Sequence, residues 1–190
     1  MKRISITLLL CASIAIVGCK SDKKENDTEK KSSEKEMTQE EVKKVTLKIN
    51  PKSGSNLSGN AVFTQEKGEV TMTAVIDGLA EGMHAIHLHE NADCSAEDGS
   101  SAGGHWNPTF EKHGKWGNAS GYHKGDIGNF KVDGNGNGTI TMTTDEWCIG
   151  CDDETKNIMG KSVVVHDGVD DFTSQPSGAA GTRVGCGTIK

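Results

Sequence analysis

Apolar and polar residues alternate in short runs from residue 44 to the C-terminus, which is the period expected of β-strands. In residues 44–49 every second residue is apolar (Val45, Leu47 and Ile49), and residues 69–76 repeat the pattern. The same criterion predicts further strands over residues 61–66, 83–89, 127–132, 139–143, 162–166 and 183–189. No segment shows a sustained helical period. Eight short strands with glycine-rich turns predict an all-β fold, an eight-stranded antiparallel Greek-key barrel or sandwich of immunoglobulin-like type.

The connections between these strands fall into two classes. Lys67-Gly68 is typical of a tight hairpin, and residues 133–138 form a glycine- and asparagine-rich turn. Residues 90–125 and 167–182 are too long for simple turns. Loops of more than about 15 residues in a compact domain are usually functional or disordered. Because both loops carry chemically reactive side chains, we interpret them as functional.

The N-terminus has the organisation of a secretory signal. Lys2 and Arg3 precede an apolar stretch over residues 4–17 that is too short for a comfortable membrane span. The stretch ends in Ile16-Val17-Gly18-Cys19, which resembles a bacterial lipobox and implies cleavage before Cys19 and lipidation of its thiol. The alternative is a plain signal cut nearby. We therefore predict a lipoprotein signal peptide over 1–18 and an exported protein that is lipid-anchored to a bacterial membrane, on the periplasmic or cell-surface side.

A highly charged segment follows the predicted anchor. Residues 20–41 contain six Lys and eight Asp or Glu, and Met37 is their only large apolar residue. Such a composition cannot bury enough surface to offset the entropy of ordering, so residues 19–41 are predicted to be a disordered tether that begins at the lipidated Cys19. A spacer between membrane and domain and a tail without a role both fit this composition. The domain itself is assigned to residues 42–190.

The charge of the chain bears on its partners. The formal net charge is −6, from 21 basic and 27 acidic residues. Nucleic-acid binding needs a basic surface, so nucleic acid is excluded as the main partner. The membrane is expected as a partner only through the lipid anchor.

All seven histidines lie between residues 84 and 166. His87 and His89 are two apart on a predicted strand, so their rings share one face while Ile86 and Leu88 occupy the other. A polar pair facing solvent is the commoner explanation of this pattern. Three histidines in the long loop, an aspartate close behind them and a histidine at the end of a distant strand favour two metal sites instead. These residues are His105, His113, His123, Asp126 and His166.

The order of these residues resembles the copper/zinc superoxide dismutases, and the similarity extends over about residues 44–190. The motifs that carry it are His87-x-His89, Ser101-Ala102-Gly103-Gly104-His105-x-Asn107-Pro108, Lys112-His113-Gly114, His123-x-Gly125-Asp126-x-Gly128-Asn129, Val164-Val165-His166 and Gly181-x-Arg183-x-x-Cys186-Gly187.

The resemblance implies two metal ions that share one ligand. Copper would be held by His87, His89, His105 and His166, and zinc by His105, His113, His123 and Asp126. His105 would bridge the two ions as an imidazolate. Imidazole suits copper, and three nitrogens with one carboxylate suit zinc. Asp170 matches the carboxylate that joins His87 to His113, although the neighbouring Asp171 is an alternative. His84 has no ligand counterpart and is interpreted as structural, with a backbone hydrogen bond.

The implied activity is dismutation of superoxide to dioxygen and hydrogen peroxide by alternating Cu(II)/Cu(I) redox chemistry, which would protect the cell envelope from superoxide. Arg183 would bind the anion beside copper, and His105 would supply a proton. Three other hypotheses explain part of the sequence: a metal buffer without activity, a surface interaction protein with a degenerate domain, and a copper chaperone. A homodimer is also compatible with the family.

The cysteines divide into two pairs. The resemblance implies a disulfide between Cys94 and Cys186, and exported proteins retain such bonds. Trp147-Cys148-Ile149-Gly150-Cys151 departs from the usual family pattern. It could be a local disulfide, a redox pair or half of a metal site, and we favour a structural disulfide. The last long loop also lacks the charged cluster that eukaryotic members place there.

Overall fold

The computed structural model describes residues 41–190. The predicted signal peptide (1–18), Cys19 and all but the last residue of the tether (19–41) lie outside these residues. The described part contains no helix with the length and hydropathy that a membrane crossing requires.

Alternating apolar positions form eight strands in this part of the chain. They are β1 (Lys43–Pro51), β2 (Ser58–Glu66), β3 (Glu69–Asp77), β4 (Gly82–His89), β5 (Gly128–Val132), β6 (Gly138–Thr144), β7 (Ser162–His166) and β8 (Arg183–Thr188). A single turn of 3₁₀ helix covers Ser100–Ala102. The predicted strands are confirmed, with most ends within one or two residues. The exception is β2, which begins three residues earlier than expected because its first residues, Ser58-Gly59-Asn60, carry no large apolar side chain.

All strand pairs are antiparallel, and the sheet closes on itself in the order β1-β2-β3-β6-β5-β4-β7-β8. Strands β3 and β4 are consecutive in the chain but not neighbours, and the same is true of β6 and β7. These two crossing connections give the predicted Greek-key topology, so the predicted fold class is confirmed.

The core fills the inside of the barrel with the inward residues of each strand. On β3 these are Val70, Met72, Ala74 and Ile76, all fully buried, while Thr71 and Thr73 face outward. Leu47 and Ile49 of β1 are buried as the alternation predicts, and Val45 packs at the edge of the core. Strand patterning therefore accounts for the barrel interior.

Both faces of strands β4, β7 and β8 are buried, unlike those of the other strands. Ile86 and Leu88 point into the barrel, and His87 and His89 point outward yet are equally inaccessible. The long loops cover the outer face here, so imidazoles on the outside of the barrel are removed from water.

In the described residues, three long loops connect the strands of the barrel, whereas two were predicted. Residues 90–127 and 167–182 match the expected loops. Residues 145–161 form a third long loop between β6 and β7. Its apolar side chains Trp147, Ile149 and Ile158 are buried in the core, so the segment does not have the polar composition typical of a loop.

Candidate metal centre

Two groups of buried side chains meet on the outer face of β4. One comprises His87, His89, His105 and His166, and the other comprises His105, His113, His123 and Asp126. Within each group, one donor atom per residue lies within 4.8 Å of all the others. His105 belongs to both groups. The structure thus brings together every residue that the resemblance implied as a ligand.

The first group is built on paired strands. His87 and His89 extend from β4, and His166 ends the neighbouring β7. His105 joins them because its backbone forms an isolated antiparallel bridge with His89. The rings of His87 and His105 lie with their centroids 4.0 Å apart. Four imidazoles therefore converge although they come from three separate parts of the chain.

Hydrogen bonds fix which nitrogen of each ring is free. His87 Nε2 lies 2.8 Å from Asp170 Oδ2, His89 Nδ1 lies 2.9 Å from the backbone oxygen of Gly103, and His166 Nδ1 lies 3.3 Å from that of Gly181. A ring nitrogen beside such an acceptor carries the proton, so the opposite nitrogen presents a lone pair.

Those opposite nitrogens have no hydrogen-bond partner although they are buried. The atoms are His87 Nδ1, His89 Nε2, His105 Nε2 and His166 Nε2, and all four face one another. A buried polar atom without a partner is costly unless something else occupies its lone pair. A metal ion that accepts nitrogen donors satisfies all four at once.

The second group surrounds the carboxylate of Asp126. His105 Nδ1 lies 2.8 Å from Oδ1, His113 Nδ1 lies 3.0 Å from Oδ2, and His123 Nδ1 lies 3.2 Å from Oδ1. The contacts of His113 and His123 lack the alignment of hydrogen bonds, and both nitrogens remain without a partner. Three nitrogens and one carboxylate in a closed pocket are a donor set that zinc accepts.

Asp170 connects the two groups by a hydrogen bond to one histidine of each. Its Oδ2 accepts from His87 Nε2, and its Oδ1 accepts from His113 Nε2 at 2.9 Å. Asp171, the alternative considered from the sequence, is exposed and caps Thr173 and Ser174 instead. One buried carboxylate therefore orients one ring of each group.

Two amide side chains hold this arrangement, and sequence reasoning assigned neither. Asn129 bonds to both the N–H and the C=O of Asp170, each at 2.8 Å. Gln175 does the same for His113 from the last long loop, each bond being 2.9 Å. In the sequence, only the residue types could have indicated these contacts. An Asn or Gln amide can accept from the N–H and donate to the C=O of the same backbone residue.

Burial controls the protonation of the first group. It lowers the pKa of His105 to about 4 and that of His166 to about 3, with neighbouring rings adding to the effect, and it lowers the pKa of His89 well below the usual value. These rings are therefore neutral at pH 7, which is the state that binds a metal ion.

In the second group, contacts with charged neighbours outweigh the effect of burial on the pKa values. Burial disfavours the charged form of His113, but the carboxylates of Asp126 and Asp170 outweigh it and raise the pKa of His113 to about 9. Burial likewise opposes ionisation of Asp126, yet its contacts with His105, His113 and His123 hold its pKa well below the usual range. The Asp126 carboxylate is thus ionised at neutral pH.

An open cleft of about 710 Å³ leads to the centre. It is lined by His89, His105, His123 and His166 of the two groups, and also by Gln175 and Arg183. Arg183 begins β8, where its backbone pairs with His166, and its guanidinium is half-buried. Small solutes can reach the first group, and a cationic side chain lines the cleft.

The remaining predicted residues lie near the centre without joining it. Cys94 is bonded to Cys186, and Cys148 to Cys151, so both pairs are disulfides. His84 places its ring nitrogens 3.2 Å from the backbone oxygen of His166 and 2.9 Å from that of Ala80, which is a structural role.

Comparisons with known proteins agree with this architecture. The sequence profile of a family described as copper/zinc superoxide dismutase matches residues 57–189. Superoxide dismutase [Cu-Zn] 5 of Dictyostelium discoideum is 35% identical over 144 residues, which cover 72% of this chain and 91% of the relative. Extracellular superoxide dismutase [Cu-Zn] of Caenorhabditis elegans is 33% identical over 141 residues, covering 71% and 62%.

A solved structure is also similar. The crystal structure of a double mutant of a SOD-like protein from Bacillus subtilis aligns with a TM-score of 0.66 and 26% identity over 76% of this chain and 95% of that one. The chain therefore belongs to the copper/zinc superoxide dismutase family, which makes it an oxidoreductase with copper and zinc as its cofactors.

Proposed function

We propose that this protein dismutates superoxide in the cell envelope, at a copper–zinc centre whose two halves share His105. The observation that carries the proposal is the set of six buried histidine nitrogens without hydrogen-bond partners. They lie in two groups with His105 in common. Copper would be held by His87, His89, His105 and His166, and zinc by His105, His113, His123 and Asp126. When bound, copper supplies one-electron redox chemistry, whereas zinc has a fixed oxidation state.

Arg183 is proposed to bind the substrate. Superoxide is a small anion, and residues 42–190 carry 13 basic and 19 acidic side chains, so their net charge repels it. Local positive charge at the cleft must therefore provide the attraction. Arg183 lies on the wall of that cleft, remains charged at all working pH values and offers several donors to an oxygen anion.

His105 is proposed to deliver a proton from Nε2. Dismutation converts two superoxide ions and two protons into dioxygen and hydrogen peroxide. His105 Nε2 faces the first group, its Nδ1 is held by Asp126, and the ring borders the open cleft. A proton on Nε2 would therefore lie next to both the first group and the cleft, which is the position that a proton donor needs.

The proposed location rests on the N-terminus and the disulfides. The charged and apolar segments before Cys19 are those of an export signal with a lipid-attachment cysteine, and two disulfides suit an oxidising compartment. A relative from Caenorhabditis elegans carries the word extracellular in its name. The protein would then remove superoxide at a bacterial membrane surface to which its lipid holds it.

The catalytic proposal is tested on the full chain purified from its own envelope. We expect about one copper and one zinc per chain, and superoxide consumption that a chelator abolishes and both ions restore. Stoichiometric copper without activity would contradict the proposal and favour a metal buffer.

Location is tested separately. A Cys19→Ala variant should leave the membrane fraction while keeping its activity per molecule. Persistence of that variant in the membrane fraction would refute lipid anchoring through Cys19.

A further inference from the structure

The third long loop holds the chain between two proposed zinc ligands. Lys124 follows His123 and precedes Asp126 by two residues. Its Nζ donates to Glu146, and its backbone oxygen accepts a hydrogen bond of 2.8 Å from Trp147 Nε1. Both polar ends of Lys124 are therefore tied to adjacent residues of the 145–161 loop. We call Glu146 and Trp147 the brace.

The brace is itself anchored in the barrel. Trp147 is buried, and its ring packs against Phe63 of β2 with centroids 6.1 Å apart. On its other side it meets Trp116 edge to face at 5.5 Å, and Trp116 contacts Tyr122 at 5.0 Å. The hydroxyl of Tyr122 donates to Glu146. Aromatic packing and charge-assisted hydrogen bonds thus join the core to residues 122–124.

The Cys148–Cys151 disulfide fixes the chain directly after the brace. The N–H of Ile158 donates to the backbone oxygen of Cys148 at 3.0 Å, and the N–H of Ile149 donates at 2.7 Å to Gln65 Oε1 on β2. The disulfide closes a short ring within this anchored segment. It restricts the residues that directly follow Trp147.

The segment 122–126 is held from its other end by ordinary backbone bonds. Leu88 of β4 donates to the oxygen of Gly125 at 2.9 Å, and Gly125 donates to Trp106 at 2.9 Å. Within the segment, the N–H of His123 donates at 2.8 Å to Asp126 Oδ2, and the N–H of Asp126 donates at 3.1 Å to the backbone oxygen of His123. These bonds join the two ends of the segment to each other, but they do not attach Lys124 to the rest of the fold. The brace supplies the second attachment.

We propose that Glu146 and Trp147 are positioning residues for the zinc half of the centre, and that the Cys148–Cys151 disulfide locks them in place. This inference rests on the proposed function, because it takes His123 and Asp126 as zinc ligands. The brace holds Lys124, and Lys124 in turn sets the position of the His123 ring and the Asp126 carboxylate. The Trp-Cys-x-x-Cys motif, which departs from the common family pattern, is then part of metal retention.

The experiment measures the zinc dissociation constant of the full chain by competition with a chromophoric chelator. Three variants are compared: Trp147→Phe, which keeps an aromatic ring but loses the Nε1 donor, Glu146→Gln, which removes the charge, and Cys148→Ser combined with Cys151→Ser. Glu154→Gln on the same loop is exposed and serves as the matched control. We expect each brace or disulfide variant to bind zinc about tenfold more weakly and the control to match wild type.

Two further measurements separate positioning from general stability. Urea unfolding of the metal-free proteins should change little in Glu146→Gln, whereas the absorption spectrum of Co²⁺ in the zinc position should change because the ligands move. Unchanged zinc affinity and Co²⁺ spectra in all three variants, with lower unfolding free energy, would overturn the proposal. If wild type itself binds no zinc through His123 and Asp126, the proposed function fails first.

Discussion

Arg183 donates a hydrogen bond from Nη1 to the backbone oxygen of Gly99, 2.8 Å away, and so ties β8 to the first long loop. That loop is joined to the same strand by the Cys94–Cys186 disulfide, and Lys52 donates to the backbone oxygen of Ala96. The guanidinium of this cleft-lining residue is therefore held in place by a loop that is itself cross-linked to the barrel. Covalent and polar contacts together orient one functional side chain.

Replacing Arg183 with an acid should slow the reaction with superoxide without releasing metal. We expect Arg183→Glu to lower the second-order rate constant about tenfold or more at low ionic strength, since a local attraction becomes a repulsion. Pulse-generated superoxide decay and metal analysis would measure the two effects. Lys44→Glu makes the same charge change on the exposed face of β1 and should leave the rate nearly unchanged. Equal rates in wild type and Arg183→Glu would exclude Arg183 from substrate binding.

Removing the long-range disulfide should cost more stability than removing the local one. Cys94 and Cys186 are 92 residues apart, which corresponds to about 4–5 kcal/mol in the chain-entropy description. Cys148 and Cys151 are 3 apart, which corresponds to about 2 kcal/mol. Urea unfolding of the two metal-free Cys→Ser double variants would check this order. A larger loss from the local pair would show that contacts in the native state, rather than chain entropy, dominate.

A methyl group at residue 178 should disturb the centre through Asp170. Gly178 has φ +65°, and an added Cβ would overlap Asp170 Oδ1 and lie 2.6 Å from His113 Nε2. Gly178→Ala is expected to destabilise the fold by about 1–3 kcal/mol and to weaken zinc binding. Gly54→Ala is the control, because Gly54 has φ +72° and open space around it. Zinc affinities that fall equally in both variants would attribute the effect to backbone strain alone.

Acid should remove the contribution of Asp171 to stability within a defined pH window. Hydrogen bonds from Ser174 and Thr173 lower the pKa of Asp171 to about 2. A carboxyl whose pKa is depressed on folding stabilises the protein above its unfolded pKa near 3.8, and loses that contribution as pH falls toward 2. The difference in unfolding free energy between wild type and Asp171→Asn should therefore be constant above about pH 5 and shrink between pH 4 and 2. A difference that stays constant through that range would contradict the hydrogen-bonded state of Asp171.

The barrel could be predicted from the sequence because each strand carries its own signal. Val70, Met72, Ala74 and Ile76 alternate with polar residues, and that local pattern decides which face is buried. The predicted strands at 139–143 and 162–166 imply a long connection between them, but its part in the core could not be predicted, since Trp147 and its apolar neighbours pack there from outside any strand. Local periodicity contains no information on such a segment.

The two groups of histidines could be assembled from the sequence only through the family resemblance. Nothing in the spacing of His105 or His166 fixes which strand or loop each will face. The amide contacts of Asn129 and Gln175 were missed for the same reason, because each spans 41 or 62 residues and depends on the closed topology. What a side chain touches across the fold is a property of the tertiary structure.

On strand β4, the side chains of one face pack in the core, and those of the other face belong to the proposed metal centre. Ile86 and Leu88 fill the barrel, whereas His87 and His89 point away from it. Mutations that exchange one inward aliphatic residue for another of similar volume should thus be tolerated by the reactive face. A single strand can therefore accept repacking on its inner side without moving the imidazoles on its outer side.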